Sequence, residues 1–147
     1  ARRGKHDEAL PAFKEAVAKD EKNVDAMLAA AHSLYRQGKL DEAIKLASKA
    51  ERLNSNNPNA HMLLNILYFK AGRLDDALRE GLAVLKIAPR HLNAQRNVGV
   101  TYARLGRYDE AAKHLEEALK LAPEPEKPAI RRQLDQLKAE QAGQRKS

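Results

Sequence analysis

The string GRYDEAA at Gly106 has three near copies: GKHDEAL at Gly4, GKLDEAI at Gly38 and GRLDDAL at Gly72. Each starts 34 residues after the last. Asp7, Asp41, Asp75 and Asp109 keep the same step, as do Ala9, Ala43, Ala77 and Ala111. A further column runs Ala16, Ala50, Val84 and Ala118. Columns locked in register without insertion restrict the fold severely. They predict one supersecondary unit repeated and stacked, each copy burying its apolar face against the next.

Each copy reads as two helices. In residues 92–125, Ala94, Val98, Tyr102 and Leu105 recur at three- and four-residue steps and mark the inner face of a first helix. Gly106 ends it, because glycine enters the left-handed region at little cost. Asp109 is expected to open the second helix, offering an oxygen and a negative charge to the free N–H groups. Ala111, Leu115, Ala118, Leu119 and Leu121 form its inner face, and Pro123 closes the unit. Gly99 and Ala111 lack bulk, which lets the two helices approach closely. Gly4, Gly38, Gly72, Gly106, Ala9, Ala43, Ala77 and Ala111 are therefore turn and packing positions.

The period, the helix pairs and the Gly–x–x–Asp–Glu–Ala–x–x–x–(large)–x–x–Ala pattern resemble the tetratricopeptide repeat over about residues 1–125. The resemblance implies an all-α right-handed solenoid whose first helices line a concave surface. It implies a half repeat at 1–23, repeats at 24–57, 58–91 and 92–125, and a capping helix with a frayed tail at 126–147. The aromatic common early in the first helix is replaced by Met27, His61 and Gln95. The large residue of the second helix is Phe13 and Leu115 but only Ala47 and Gly81 between them, so looser middle packing or a neighbour filling the room is expected. The half repeat leaves Leu10 and Phe13 without an intra-repeat partner, and the chain is expected to be a piece of a longer protein. After PEPEKP, Ile130, Leu134 and Leu137 mark the cap.

Of 147 residues, 32% are charged and 4% aromatic, so the core must come mainly from Ala and Leu. The net charge of +7 is spread thinly, with Lys and Arg interleaved with Asp and Glu at helical spacing. That is the pattern of a solvated face; nucleic-acid binders carry denser basic stripes with stacking aromatics. The absence of cysteine rules out a disulfide framework and decides neither cytosol nor periplasm. No apolar run approaches the ~18 residues of a membrane span.

Removing the packing columns leaves residues to line the concave surface. The first complete repeat offers Leu28, His32 and Arg36. The second offers Asn59, Met62, Leu63, Ile66, Phe69 and Lys70, an apolar strip flanked by amides. The third offers Asn93, Arg96, Asn97, Val100 and Arg104. Apolar residues that packing does not explain mark partner surfaces, and methionine suits an adaptable one. The alternative occupants are a second copy of the chain or its own upstream repeats. Arg2, Arg36, Lys70 and Arg104 form a basic column at first-helix ends, a charge that would attract an acidic peptide but that complementing the helix dipole explains better. A carboxylate clamp, which the resemblance brings to mind, would place Asn97, Lys127 and Arg131 together if the register continued, but its other members would fall at Met62 and Ile66.

Nothing points to catalysis, a cofactor or a metal. His6, His32, His61, His91 and His114 form no ligand-spaced pair, and the glycines are turn glycines rather than a phosphate loop. The sequence reads as a non-catalytic adaptor for a peptide or protein segment, with self-assembly as the rival.

Overall fold

A computed structural model describes residues 24–146. The half repeat expected at 1–23, with Gly4 and Ala9, lies outside the described residues. All described regular structure is helical: α1 (Val24–Arg36), α2 (Leu40–Leu53), α3 (Pro58–Lys70), α4 (Leu74–Ile87), α5 (Leu92–Arg104), α6 (Tyr108–Leu121), a 3-10 turn (Glu124–Glu126) and α7 (Lys127–Lys146). The chain divides into two compact units, Ala1–Arg73 and Leu74–Ser147. In the first, α2 packs on α1 and on α3, and the first helices α1 and α3 also touch. In the second, α4 through α7 pack each on the next.

The turns within repeats share one construction. Gly38, Gly72 and Gly106 adopt φ of 81°, 77° and 80°. At the last of these, Gly106 N–H donates to the Ala103 carbonyl (3.0 Å) and Arg107 N–H to the Tyr102 carbonyl (2.9 Å). Gly72 and Arg73 repeat the pair with Phe69 and Tyr68, and Gly38 and Lys39 with Tyr35 and Leu34. This is the Schellman closure, and left-handed glycine makes it possible. The two turn arginines also fold back on the tyrosines whose carbonyls they bind. Arg73 lies 4.6 Å from the Tyr68 ring centre and Arg107 4.9 Å from that of Tyr102.

The expected capping by Asp109 is not what the structure shows. Arg107 and Lys39 stand at the N-caps of α6 and α2, with no side-chain cap bond. The turn is so short that the residue closing one helix is the cap of the next. Asp109 lies inside the first turn, where its charge complements the helix dipole, and its Oδ1 accepts from Gln141 Nε2 of α7 (2.9 Å).

Between the helices of the last repeat the approach is close. A Cβ at Gly99 would stand 2.8 Å from Leu115 Cγ and 3.2 Å from the Ala111 carbonyl oxygen. Ala111 and Leu115 are buried there with Val98, Tyr102, Leu78, Leu134 and Leu137. At the equivalent positions of the first described repeat, Ala31 and Ala47 are both fully buried. A small residue on either helix serves, provided its partner matches.

Polar residues in the aromatic column have a use of their own. His61 Nε2 bonds the Ser55 carbonyl (2.6 Å) and Gln95 Nε2 the Pro89 carbonyl (3.1 Å), each tying down the loop six residues upstream. His61 Nδ1 also pairs with Glu51 (3.1 Å).

Gly106→Ala is expected to cost about 1–2 kcal/mol through backbone strain alone, since its Cβ would meet nothing within 4 Å. Gly99→Ala, at ordinary helical φ, should cost about 1–3 kcal/mol through overpacking. Adding Leu115→Ala should make the second loss less than additive while leaving that of Gly106→Ala unchanged. Urea unfolding of the single and double variants checks both.

Candidate functional site

The candidate residues lie on the first helices, and each unit is described by itself. In the first unit, Leu28 is only 9% exposed and has little area left to offer. His32 and Arg36 are exposed on α1, with the His32 ring tilted against Tyr35. On α3, Asn59 and Lys70 are exposed, whereas Met62, Leu63, Ile66 and Phe69 are half-buried. Met62, Ile66 and Phe69 follow one helical stripe with Leu63 beside it. The strip is real as a pattern, but its side chains are partly covered.

In the second unit, α5 carries exposed Asn93 and Arg104 and half-buried Arg96, Asn97 and Val100. Arg96 is engaged: its Nε and a terminal nitrogen donate to Gln133 Oε1 of α7 at 3.3 and 3.1 Å. Beyond that strut a cleft of about 280 Å³ opens between α5 and α7. Val100, Ala103, Leu115 and Leu137 give it an apolar lining, and Arg104, Gln133, Gln136 and Glu140 supply polar groups. Gln136 Nε2 donates to Glu140 Oε1 (3.3 Å).

The clamp arrangement does not form. The first helices begin at Val24, Pro58 and Leu92, 34 residues apart, but α7 begins at Lys127, one residue late. The 3-10 turn at Glu124–Glu126 absorbs the extra residue. Ile130, Leu134 and Leu137 consequently take the buried positions of the cap. Arg131 points into solvent, in register with Arg96 rather than Asn97, and Lys127 pairs with Glu124 (3.1 Å). Gln133, Gln136 and Glu140, absent from the sequence-derived set, form the second wall. The spacing of Ile130, Leu134 and Leu137 was the available signal, since it fixes which side of α7 faces inward.

Behind the cleft, Gln95 Oε1 meets His114 Nδ1 at 2.8 Å, and the His114 ring stacks on Tyr102 with centroids 5.5 Å apart. Burial, aided by Lys113, lowers the His114 pKa below 6.5; Glu110 and Glu117 oppose the shift. Among the described residues, no helix is long and apolar enough to cross a membrane.

Removing either end of the strut tests its role. Arg96→Ala and Gln133→Ala should each destabilise by about 0.5–1.5 kcal/mol. Together they should cost clearly less than the sum, a coupling that a thermal double-mutant cycle measures.

Several solved structures share the fold. One of MamA superimposes with a TM-score of 0.86 at 20% identity, over 97% of this chain and 76% of that one. A MamA RS-1 double mutant gives 0.85 at 22% identity, over 95% and 77%. YrrB, described as a TPR protein with an unusual peptide-binding site, gives 0.74 at 27% identity, over 83% of this chain and 63% of that one. A search of curated proteins returns no match. Two tetratricopeptide-repeat profiles match residues 1–67 and 58–124, and with the left-handed turn glycines and the paired helices they place the chain in the tetratricopeptide-repeat family.

Proposed function

We propose that the chain is a non-catalytic interaction scaffold that holds a segment of a partner protein along the faces of its first helices. The observation that carries the reading is the cleft beside α5, with its apolar lining and polar groups. Its volume falls just below the ~300 Å³ at which small-molecule pockets begin and suits a side chain better than a cofactor. The Arg96–Gln133 strut closes one end. In the first unit, Met62, Leu63, Ile66 and Phe69 offer apolar contact, and His32, Arg36, Asn59 and Lys70 flank it with polar groups. The second unit, by itself, offers Asn93, Asn97, Val100 and Arg104 beside its cleft. The peptide-binding site recorded for YrrB lends support by likeness. The rival occupant is a second copy of this chain.

Selection of displayed random peptides against the chain, followed by titration, tests the reading. Ala103→Trp should fill the cleft and abolish binding of selected peptides while melting stays within a few degrees. Phe69→Ala should weaken binding by about 1–3 kcal/mol at equal folded concentration. If no peptide is enriched and light scattering shows a dimer that Phe69→Ala dissolves, the assembly reading replaces this one.

A further inference from the structure

We propose that the start of α5 is a pH-sensitive clasp, capped by His91 only while its acceptor nitrogen carries no proton and backed by a partly buried His114 that resists charging, so that acid loosens the last repeat at the wall of its cleft. The significance for binding rests on the cleft reading above; the clasp itself does not.

His91 is the N-cap of α5, and its Nδ1 accepts a hydrogen bond from Ala94 N–H at 3.1 Å. A ring nitrogen that carries a proton cannot accept. Protonation therefore removes the cap and sets a positive charge against the free N–H groups of the helix start. The chain contains its own control. At the equivalent position one repeat earlier, Asn57 caps α3, and its Oδ1 accepts from Asn59 N–H at 2.9 Å. An amide oxygen does that at any physiological pH. His91 makes the same kind of bond through a ring nitrogen that accepts only while it carries no proton.

His114 secures the same turn from α6. The Gln95 amide is oriented by its own donation to the Pro89 carbonyl, which turns its oxygen toward His114. His114 Nδ1 is therefore the donor, leaving Nε2 unprotonated in the neutral ring. Burial resists the second proton, consistent with its lowered pKa. Charged groups on its own helix are Lys113, which acts with burial, and Glu110 and Glu117, which act against it. From α5 it meets Tyr102, over whose ring Arg107 lies. Along the chain, Arg90 precedes His91 in the loop and Arg96 follows it within α5, where it is engaged by Gln133. Leu92 beside it packs on Ala118, Ala122 and Ile130, from elements that carry Lys120 and the Lys127–Glu124 pair.

The direction of the effect follows. The His114 pKa is lower folded than unfolded, so the unfolded chain takes up the proton first as pH falls. Its stabilising contribution is complete above about 6.5 and declines below it. Loss of the His91 bond acts in the same direction. Arg96, which struts α5 to Gln133, lies one turn inside the loosened start, so the disturbance reaches the cleft wall.

The test uses the full chain alone. Amide exchange at Ala94 is measured by NMR against Asn59, the corresponding helix start, from pH 7.5 to 5.5. Their ratio cancels the shared pH dependence of exchange chemistry. In the wild type it should rise about tenfold as pH falls. His91→Asn, which copies the preceding repeat, should hold it flat, and His91→Asn with His114→Gln should reduce the acid loss of melting temperature. A constant ratio in the wild type, or an equal rise in His91→Asn, overturns the clasp. Peptide binding plays no part in these readouts, so either proposal can fail without the other.

Discussion

The fold of each repeat depends on how closely its two helices can approach. In the last repeat the limit is set where Gly99 faces Leu115 and the Ala111 backbone, with no room for a Cβ. That contact demands an absence of bulk on one helix and a matching presence on the other. At the equivalent positions of the first described repeat, Ala31 and Ala47 are both small and both fully buried, so there neither helix supplies bulk. The short Schellman turn then becomes a necessity. Helices this close cannot be joined by a wide loop without losing register, and the left-handed glycine closes the pair in the fewest residues.

The elements that local chemistry controls were legible in the sequence. The 34-residue period located the described helix pairs, and glycine at its fixed place in the period located their turns. Gly38, Gly72 and Gly106 need φ near +80°, a requirement that one residue expresses by itself. Partnerships across space were less legible. Asp109 looks like a cap because it opens an apolar stripe, but the cap position had already been taken by Arg107 in the turn. Its actual hydrogen-bonding partner, Gln141, is far along the chain. The bond from Gln95 to His114 and the strut from Arg96 to Gln133 likewise leave no periodic trace. The candidate surface was therefore half legible. Val100 and Arg104 emerged by subtraction from the repeat pattern, while the opposite wall lay beyond the last repeat, where subtraction had no pattern to work on.

The polar replacements at the aromatic column show how a repeat protein tolerates losing a large ring. An aromatic there fills space. His61 and Gln95 instead bond a carbonyl of the preceding loop, which gives their own buried polar side chains a partner. The exchange changes the character of the joint between repeats. Apolar packing and amide bonds are indifferent to pH, whereas a bond accepted by an imidazole nitrogen requires that nitrogen to be unprotonated. The second unit carries this furthest, with a histidine cap and a histidine–glutamine bond at one helix start.

The one-residue delay at α7 links the end of the stack to its surface. A helix entering on the 34-residue step would set residues 129, 132, 133 and 136 in the buried positions, and Arg132 and Gln133 would be forced inward. The 3-10 turn at Glu124–Glu126 rotates the helix by one residue, so that Ile130, Leu134 and Leu137 enter the core instead. The same rotation moves Gln133 to the edge, where it meets Arg96, and turns Gln136 and Glu140 toward the cleft. The outer side of α7 is left with exposed Arg131, Asp135 and Lys138. Burying Ile130, Leu134 and Leu137 and building the second wall of the cleft are thus two consequences of where a single extra residue is placed.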